Sequence, residues 1–460
     1  MNMKLKSTNP AKNYEVIGEV DISTEAEIKF KVKKAHLAKK KWKETSIKNR
    51  IDFFRNLLSV YKKRSKEVAE LQTKEMGKPI SRSLEDTLFD IENVKYKLKI
   101  AEDCLSPKVM DENESQKNVL YYEPHGVAAV IVPWNYPSSN FFISCTQLLL
   151  AGNVIVFKHS EECPLTGKLL EEIMMEAGFP EGVFSEVYGG GKVGDILTNQ
   201  DIDTIHFTGS SKVGQLLYKK AAEKFIPAVL EMGGSSPGII FKDADLDKAC
   251  AHASGERFEN SGQVCCALKR LIVHESVYDE VVCKMKKNIA SFRVGDPMDK
   301  NTSMGPLVAK RQLDLLVKQV EDAKSKGAKV ITDRSLDKNL QGAFHQPVLV
   351  TNVSLDMKIM TEETFGPVLP IVTFRNEKEA IKLANKTIYG LSAYVYGKDL
   401  KKMKKAASQI DAGQISINGT SYFSDNSPFG GYKMSGIGRN DGKLGFYEAT
   451  QKKVVSEPVQ

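Results

Sequence analysis

Short apolar runs alternate with amphipathic helices between residues 127 and 232, and this alternation constrains the fold more than any other feature. VAAVIVP (127–133), NVIVFK (153–158), VFSEVYG (183–189), TIHFTG (204–209) and PAVLEM (227–232) read as strands. Between them, 165–177 places Leu165, Leu169, Leu170, Ile173 and Met174 on one helical face before Gly178 and Pro180 end it. Residues 211–224 do likewise with Val213, Leu216, Leu217 and Ala221. Strands and helices alternating at this length predict a parallel sheet with right-handed crossovers, a doubly wound α/β domain. A second series follows in GIIF, RLIVH, AKVIT, VLPIVTF, LSAYVYG and GQISIN. The first 105 residues read mainly as helices, with Ile51, Phe54, Leu57, Leu58 and Tyr61 at helical spacing. TQKKVVSEPV near the end reads as a strand with nothing local to pair with, so it is expected to add to another subunit's sheet.

The bulk numbers bound the class. A chain of 460 residues exceeds one small core, so two or three domains are expected. Its 41% hydrophobic and 27% charged content describes an ordinary globular protein. The longest apolar run, VAAVIV, is strand-sized, so no membrane span is expected. MNMKLKSTNP lacks an apolar signal region, and seven scattered cysteines suit a reducing compartment, so a cytoplasmic location is expected. KVKKAHLAKKKWK (31–43) invites a nucleic-acid reading. A helix with Val32, Ala35, Ala38 and Trp42 on one side and solvated lysines on the other explains it better, since no aromatic platform accompanies the charge.

Several segments carry chemistry, and some imitate it. GSSPG (234–238) fits a hydrolase elbow, but the backbone N–H needed after the serine is missing at Pro237. GGGKVG (189–194), which contains Gly191, fits a dinucleotide fingerprint between strand and helix, although a plain glycine-rich turn would read the same. HFTGSSKVG (206–214) repeats the strand–turn–helix arrangement one unit later, so a nucleotide crevice at the sheet's carboxyl edge is expected. Lys158 and Glu161 follow a strand end, where they can hold the ribose hydroxyls of an adenosine. A carboxylate there accepts from a 2′-hydroxyl and repels a 2′-phosphate, which favours NAD over NADP. The histidines lie far apart and Cys265 and Cys266 are adjacent, so no metal site is expected. In NSGQVCC (260–266), Cys265 has polar or backbone-permissive neighbours in Asn260, Gly262 and Gln263, unlike a cysteine in a core strand. A thiol can attack an aldehyde, and the lone carboxylate of LEMGG (230–234), Glu231, can later activate water against the thioester.

Together these motifs resemble the aldehyde dehydrogenase superfamily over essentially the whole chain. The matching segments run in order: PWNYP (133–137), GNVIVFKHSEECP (152–164), HFTGSSKVG (206–214), LEMGGSSP (230–237), NSGQVCCALKRLIV (260–273), EETFGPV (362–368) and PFGGYKMSGIGR (428–439). The resemblance implies Cys265 as nucleophile, Glu231 as general base, and Asn135 with the Cys265 backbone N–H as oxyanion donors. It implies that Glu363 and Phe365 hold the nicotinamide riboside. It also implies cofactor contacts at Val132, Pro133, Trp134, Lys158, Glu161, Gly191, Phe207, Thr208, Gly209, Ser210, Val213, Met232 and Gly233.

The family's architecture implies an NAD-binding domain over 1–105 and 124–233, a catalytic domain over 234–438, and an oligomerisation element from 106–123 with 439–460. A homodimer or homotetramer is expected, with no nucleic-acid or membrane partner. Glu231 marks the hydrolytic, acid-forming type. The length is similar to compact bacterial succinate-semialdehyde dehydrogenases, but Ile143 stands where those carry a substrate-anchoring arginine. Three alternatives stay open: an NADP-dependent succinate-semialdehyde dehydrogenase with an arginine from elsewhere, a thiol esterase, and a non-catalytic relative that keeps only the fold.

Overall fold

The computed structural model describes residues 3–333, 335–424 and 426–459. It opens with a hairpin that the helical reading of this region did not anticipate, β1 (Lys4–Asn9) against β2 (Glu15–Asp21). These strands are short and largely solvated, so no apolar alternation announces them. Three helices follow, α1 (Glu25–Glu44), α2 (Ile47–Met76) and α3 (Ile80–Leu105). Helix α1 starts at Thr24, whose side chain accepts from the Glu27 N–H, and it buries Ile28, Val32, Ala35 and Trp42. Its outward lysines are answered within the protein. Lys31, Lys34, Lys39 and Lys43 pair with Glu27, Glu181, Asp203 and Glu123.

After the hairpin β3 (Lys108–Glu112) and β4 (Gln116–Pro124) the wound domain begins. Its elements are β5 (Val127–Ile131), α4 (Pro137–Ala151), β6 (Val154–Lys158), α5 (Pro164–Glu176), β7 (Phe184–Glu186), α6 (Gly191–Asn199), β8 (Thr204–Gly209), α7 (Ser211–Lys224) and β9 (Ala228–Met232). These strands lie in the order β9-β8-β5-β6-β7, all parallel. Helices cover both faces, so Val127, Ala128, Ala129, Val130, Ile155 and Val156 lose all contact with solvent.

The second sheet is built from β10 (Ser236–Ile240), α8 (Leu246–Phe258), β11 (Leu268–His274), α9 (Tyr278–Ala290), α10 (Lys310–Ser325), β12 (Lys329–Ile331), β13 (Val348–Thr351), α11 (Lys358–Thr361), β14 (Val368–Phe374), α12 (Glu377–Asn385), β15 (Tyr389–Gly390), β16 (Ser392–Tyr396), α13 (Leu400–Ala407) and β17 (Gln414–Ile417). Its order is β12-β13-β14-β11-β10-β16-β17. The AKVIT strand, β12, runs antiparallel to β13, so the second series is not a uniform βα repeat. Strand β13 is only four residues long, too short a run to stand out in the sequence.

The last segments return to earlier parts of the chain. Strand β18 (Tyr432–Lys433) pairs with β15, and β19 (Gly436–Ile437) adds an antiparallel edge to β9 of the first sheet. The stretch expected in the catalytic domain thus completes the cofactor-side sheet. After α14 (Gly442–Glu448), β20 (Thr450–Pro458) pairs antiparallel with β4 along its whole length. The expectation of an unpaired tail is overturned. Its partner lies in the same chain, too far away in sequence for a local reading to find.

This topology fixes where loops meet. Only residues 233–235 separate the end of β9 from the start of β10. The carboxyl edge of the first sheet therefore faces the amino edge of the second, where the loops before β11 and β14 lie. Arg257 of α8 holds the latter loop from inside. It is fully buried, and its guanidinium donates to the Val368 carbonyl at 2.8 Å, to Thr364 at 3.1 Å and to Gly366. Replacing it by methionine leaves these carbonyls without donors. Arg257→Met is expected to lower unfolding free energy by about 3 kcal/mol in a urea titration; an unchanged midpoint would remove Arg257 from this role.

Candidate active site

The cysteine loop is shaped by backbone that few residues tolerate. Asn260, Ser261 and Gly262 lie in succession at φ +47°, +55° and +75°, in the left-handed region. A Cβ at Gly262 would fall 2.5 Å from the Gly366 carbonyl oxygen, so glycine is required there. Side chains within the loop secure it. Asn260 Nδ2 donates to the Asn135 carbonyl at 3.0 Å, Gln263 Nε2 to the Asn260 carbonyl at 3.2 Å, and the Val308 N–H to Gln263 Oε1 at 2.9 Å.

The adjacent thiols have different surroundings. Cys265 is half-buried and Cys266 is buried. A hydrogen bond from the Cys266 thiol, followed by the Lys269 charge, holds Cys265 below the ordinary thiol range against the opposing effect of burial. The same hydrogen bond pushes Cys266 well up. Cys265 is therefore the sulfur favoured as thiolate.

Asn135 is buried where the loop after β5 meets the cysteine loop. Its Nδ2 donates to the Gln263 carbonyl at 3.1 Å, and its Oδ1 accepts from Asn140 Nδ2 at 3.3 Å. A primary amide has two N–H groups, so one remains to point at an incoming oxygen. Glu231 lies on β9, buried, with neither carboxylate oxygen hydrogen-bonded. Burial, with the Cys265 charge next, pushes its carboxyl well above the usual range, while Arg439 opposes them. A Cβ at Gly430 would sit 2.8 Å from Glu231 Oε1, so a bare backbone leaves the carboxylate its space. A dry, unpartnered carboxylate is costly, and such groups concentrate at functional sites.

The expected cofactor residues line the same seam. Val132, Pro133 and Trp134 follow β5, with Val132 and Trp134 buried. Lys158 ends β6, donates to the His159 carbonyl at 3.1 Å, and lies 3.8 Å from Glu161, whose side chain stays open to solvent. Gly191 opens α6 with nothing near where its Cβ would be, and a Cβ at Gly194 would pass 3.5 Å from Lys158 Cδ. The α6 N-terminus carries no side-chain cap; Val193 and Gly194 donate to the Gly190 carbonyl, and the preceding N–H groups of Gly191 and Lys192 face the position an anion would take. Phe207, Thr208 and Gly209 end β8, and a Cβ at Gly209 would strike the Phe207 ring at 2.4 Å. Ser210 caps α7 by accepting from the Val213 N–H at 3.4 Å, leaving Val213 exposed.

Met232 and Gly233 close the edge at the end of β9. Glu363 Oε2 lies 2.0 Å from the position a Gly233 Cβ would take, so glycine admits that carboxylate. Phe365 meets Trp134 edge-on, with centroids 5.6 Å apart. The second sheet thus delivers Glu363 and Phe365 onto the first sheet's edge.

Two contributors escaped the sequence reading. Gly430 looks like any turn glycine until Glu231 is placed beside it. Lys269 had a visible signal: two consecutive cations, Lys269 and Arg270, inside the otherwise apolar strand LKRLIVH, and both are buried. A buried lysine needs acceptors, and here they belong to the site.

Comparison with known proteins shows the family and the fold. The chain matches the Aldehyde dehydrogenase family over residues 2–455. It is 36% identical over 445 residues to an aldehyde dehydrogenase of Davidiella tassiana, spanning 96% of this chain and 89% of that protein. The fold superposes on an NADP-dependent enzyme of E. coli with TM-score 0.95 and 30% identity, over 99% of this chain and 95% of that one. Betaine aldehyde dehydrogenase of Staphylococcus aureus, solved in complex with NAD+, gives TM-score 0.94 and 31% identity, over 99% and 91% of the two chains. The protein therefore belongs to the aldehyde dehydrogenase family, oxidoreductases that act on aldehydes.

Proposed function

We propose that this chain is a cytoplasmic, NAD-dependent enzyme that oxidises a small aldehyde irreversibly to its carboxylic acid. One observation carries the reading: a half-open cysteine favoured as thiolate shares a seam with a buried carboxylate that has no partner. A thiol esterase would need these two groups but not the uncapped helix start at α6, nor a glycine at the end of β8 that only a bare backbone fits.

The residues present fit a dinucleotide. Lys158 and Glu161 would hold the adenosine ribose, the N-terminal turns of α6 and α7 the phosphates, and Glu363 and Phe365 the nicotinamide riboside. When bound, NAD supplies the hydride acceptor. Glu161 beside Lys158 supports NAD over NADP, because a carboxylate repels a 2′-phosphate.

The chain's own chemistry begins with the Cys265 thiolate adding to the aldehyde carbon. Charge gathers on the former carbonyl oxygen, where Asn135 Nδ2 and the Cys265 N–H donate. One such donor is worth about 3 kcal/mol of barrier. Loss of hydride leaves a thioester on Cys265. Glu231 then takes a proton from water, which attacks the thioester carbon and expels the Cys265 thiolate with the acid as product. General-base assistance of this kind contributes roughly 10²–10⁴-fold.

The side chain of Ile143 is partly open to solvent, and no arginine replaces it at that position. The cations in this neighbourhood are already engaged: Lys97 beside the Ile143 carbonyl pairs with Asp441, Lys78 over the Tyr136 ring with Asp86, and Arg82 with Glu85. This favours an aldehyde without a carboxylate. The outer edge of β20, with Val109, Met110 and Val454 exposed on the same small sheet, supports assembly into a homodimer or homotetramer.

Four measurements test the reading. Cys265→Ala is expected to abolish NADH formation while NAD binding, followed by tryptophan fluorescence, persists. A variant that keeps a tenth of parental activity would move the nucleophile to Cys266. Glu231→Gln is expected to give one burst of NADH in stopped flow and then stall. In the parent, the slow phase should weaken as pH falls through the raised titration of Glu231, because the protonated carboxyl cannot accept water's proton. Equal steady-state rates in the variant and the parent would exclude the base role. Glu161→Ser is expected to raise kcat/KM with NADP relative to NAD; an unchanged ratio would turn Glu161 away from the ribose.

A further inference from the structure

Lys269 takes no part in the chemistry above, yet its ammonium lies where the parts of the site join. Buried on β11, it donates to the Gly234 carbonyl at 2.8 Å, the Cys265 carbonyl at 2.9 Å and Glu363 Oε1 at 2.5 Å. Three N–H donors meet three acceptors, so the charge is fully satisfied without water. Each acceptor comes from a different segment: the link between the two sheets, the cysteine loop, and the loop before β14. The Gly234 N–H donates to the same Glu363 oxygen at 3.1 Å, and the Lys269 Nζ also lies 5.2 Å from the Phe365 ring centroid. The two residues expected at the nicotinamide riboside and the backbone of the expected nucleophile thus share one cation.

We propose that Lys269 is a positioning residue for nucleophile and cofactor together: one buried ammonium fixes the Cys265 segment and holds the Glu363 carboxylate over the dinucleotide crevice. The inference rests on Cys265 being the nucleophile and deepens that reading. Four groups act electrostatically on the Cys265 sulfur at this junction. Cys266 and Lys269 favour the anion, while Glu363 and Glu231 oppose it. Tyr136 is also near, but burial keeps its phenol protonated. Lys269 is the cation among them, and it restrains Glu363, which by charge alone would work against the thiolate. Without the lysine the carboxylate would be loose in the crevice and its repulsion of the sulfur unbalanced.

The test needs no substrate. The pH dependence of Cys265 alkylation by iodoacetamide is followed by peptide mass spectrometry, and NADH affinity is measured by fluorescence titration. Lys269→Met is expected to raise the alkylation midpoint by roughly one pH unit and to weaken NADH binding by roughly tenfold, the loss of one charge-assisted hydrogen bond. Lys269→Arg, which keeps the charge, should hold the midpoint near that of the parent. Glu363→Gln should weaken NADH binding similarly but move the midpoint in the opposite direction, downward. Because Glu363 is partly exposed, that variant carries the test if Lys269→Met does not fold. A merely structural lysine would lower the melting temperature and leave both the midpoint and the NADH affinity unmoved, and that result would overturn the proposal. Alkylation of the parent confined to other cysteines, with Cys265 unmodified at every pH, would instead remove Cys265 as the reactive thiol and overturn the proposal together with the reading it rests on.

Discussion

The Cys265 thiol and the Glu231 carboxyl, each of which bears negative charge at some stage of the proposed chemistry, lie close enough that charge on the sulfur disfavours charge on the carboxyl. In a low-dielectric pocket two adjacent anions disfavour one another, so they ionise as a coupled pair. The structure divides the task. Cys266 and Lys269 support charge on the sulfur, whereas the buried Glu231 carboxyl is pushed toward its protonated form despite the Arg439 charge and the Asn440 N–H nearby. Much of the surrounding architecture serves this asymmetry. Left-handed backbone at 260–262 aims the sulfur, glycine at 430 leaves the carboxyl its space, and Arg257 pins the loop that brings in Glu363.

The two shifts run in the directions that the proposed chemistry uses, the sulfur toward the anion and the carboxyl toward its protonated form. The thiolate is needed first, when a neutral Glu231 does not repel it. Once the sulfur is bound in a thioester its charge is gone, and the carboxyl can lose its proton at lower cost.

Much of this was legible in the chain. The strand–helix alternation between 127 and 232 gave the wound sheet because each strand is buried on both faces and each helix has one apolar stripe, both of which are local patterns. Cys265 and Glu231 stood out by their neighbours, whereas Asn135 was indicated only by the family resemblance. What escaped depends on contacts made across the fold. The β1–β2 hairpin and β13 are too short or too solvated to show a period. The pairings of β19 with β9 and β20 with β4 join segments that no window spans. Gly430 acquires its meaning only from a carboxylate two hundred residues earlier in the chain, and Lys269 only from the three segments its ammonium links.

The edge strand β19 has a consequence for how the protein is made. Until residues 436–437 and 450–458 have been made and docked, the first wound sheet has every parallel strand but ends at a bare β9, and the β4 hairpin likewise awaits β20. Those open edges are templates for pairing with a neighbouring nascent chain. Docking of these late segments closes both edges, so the interval before it is when this chain is most exposed to mispairing.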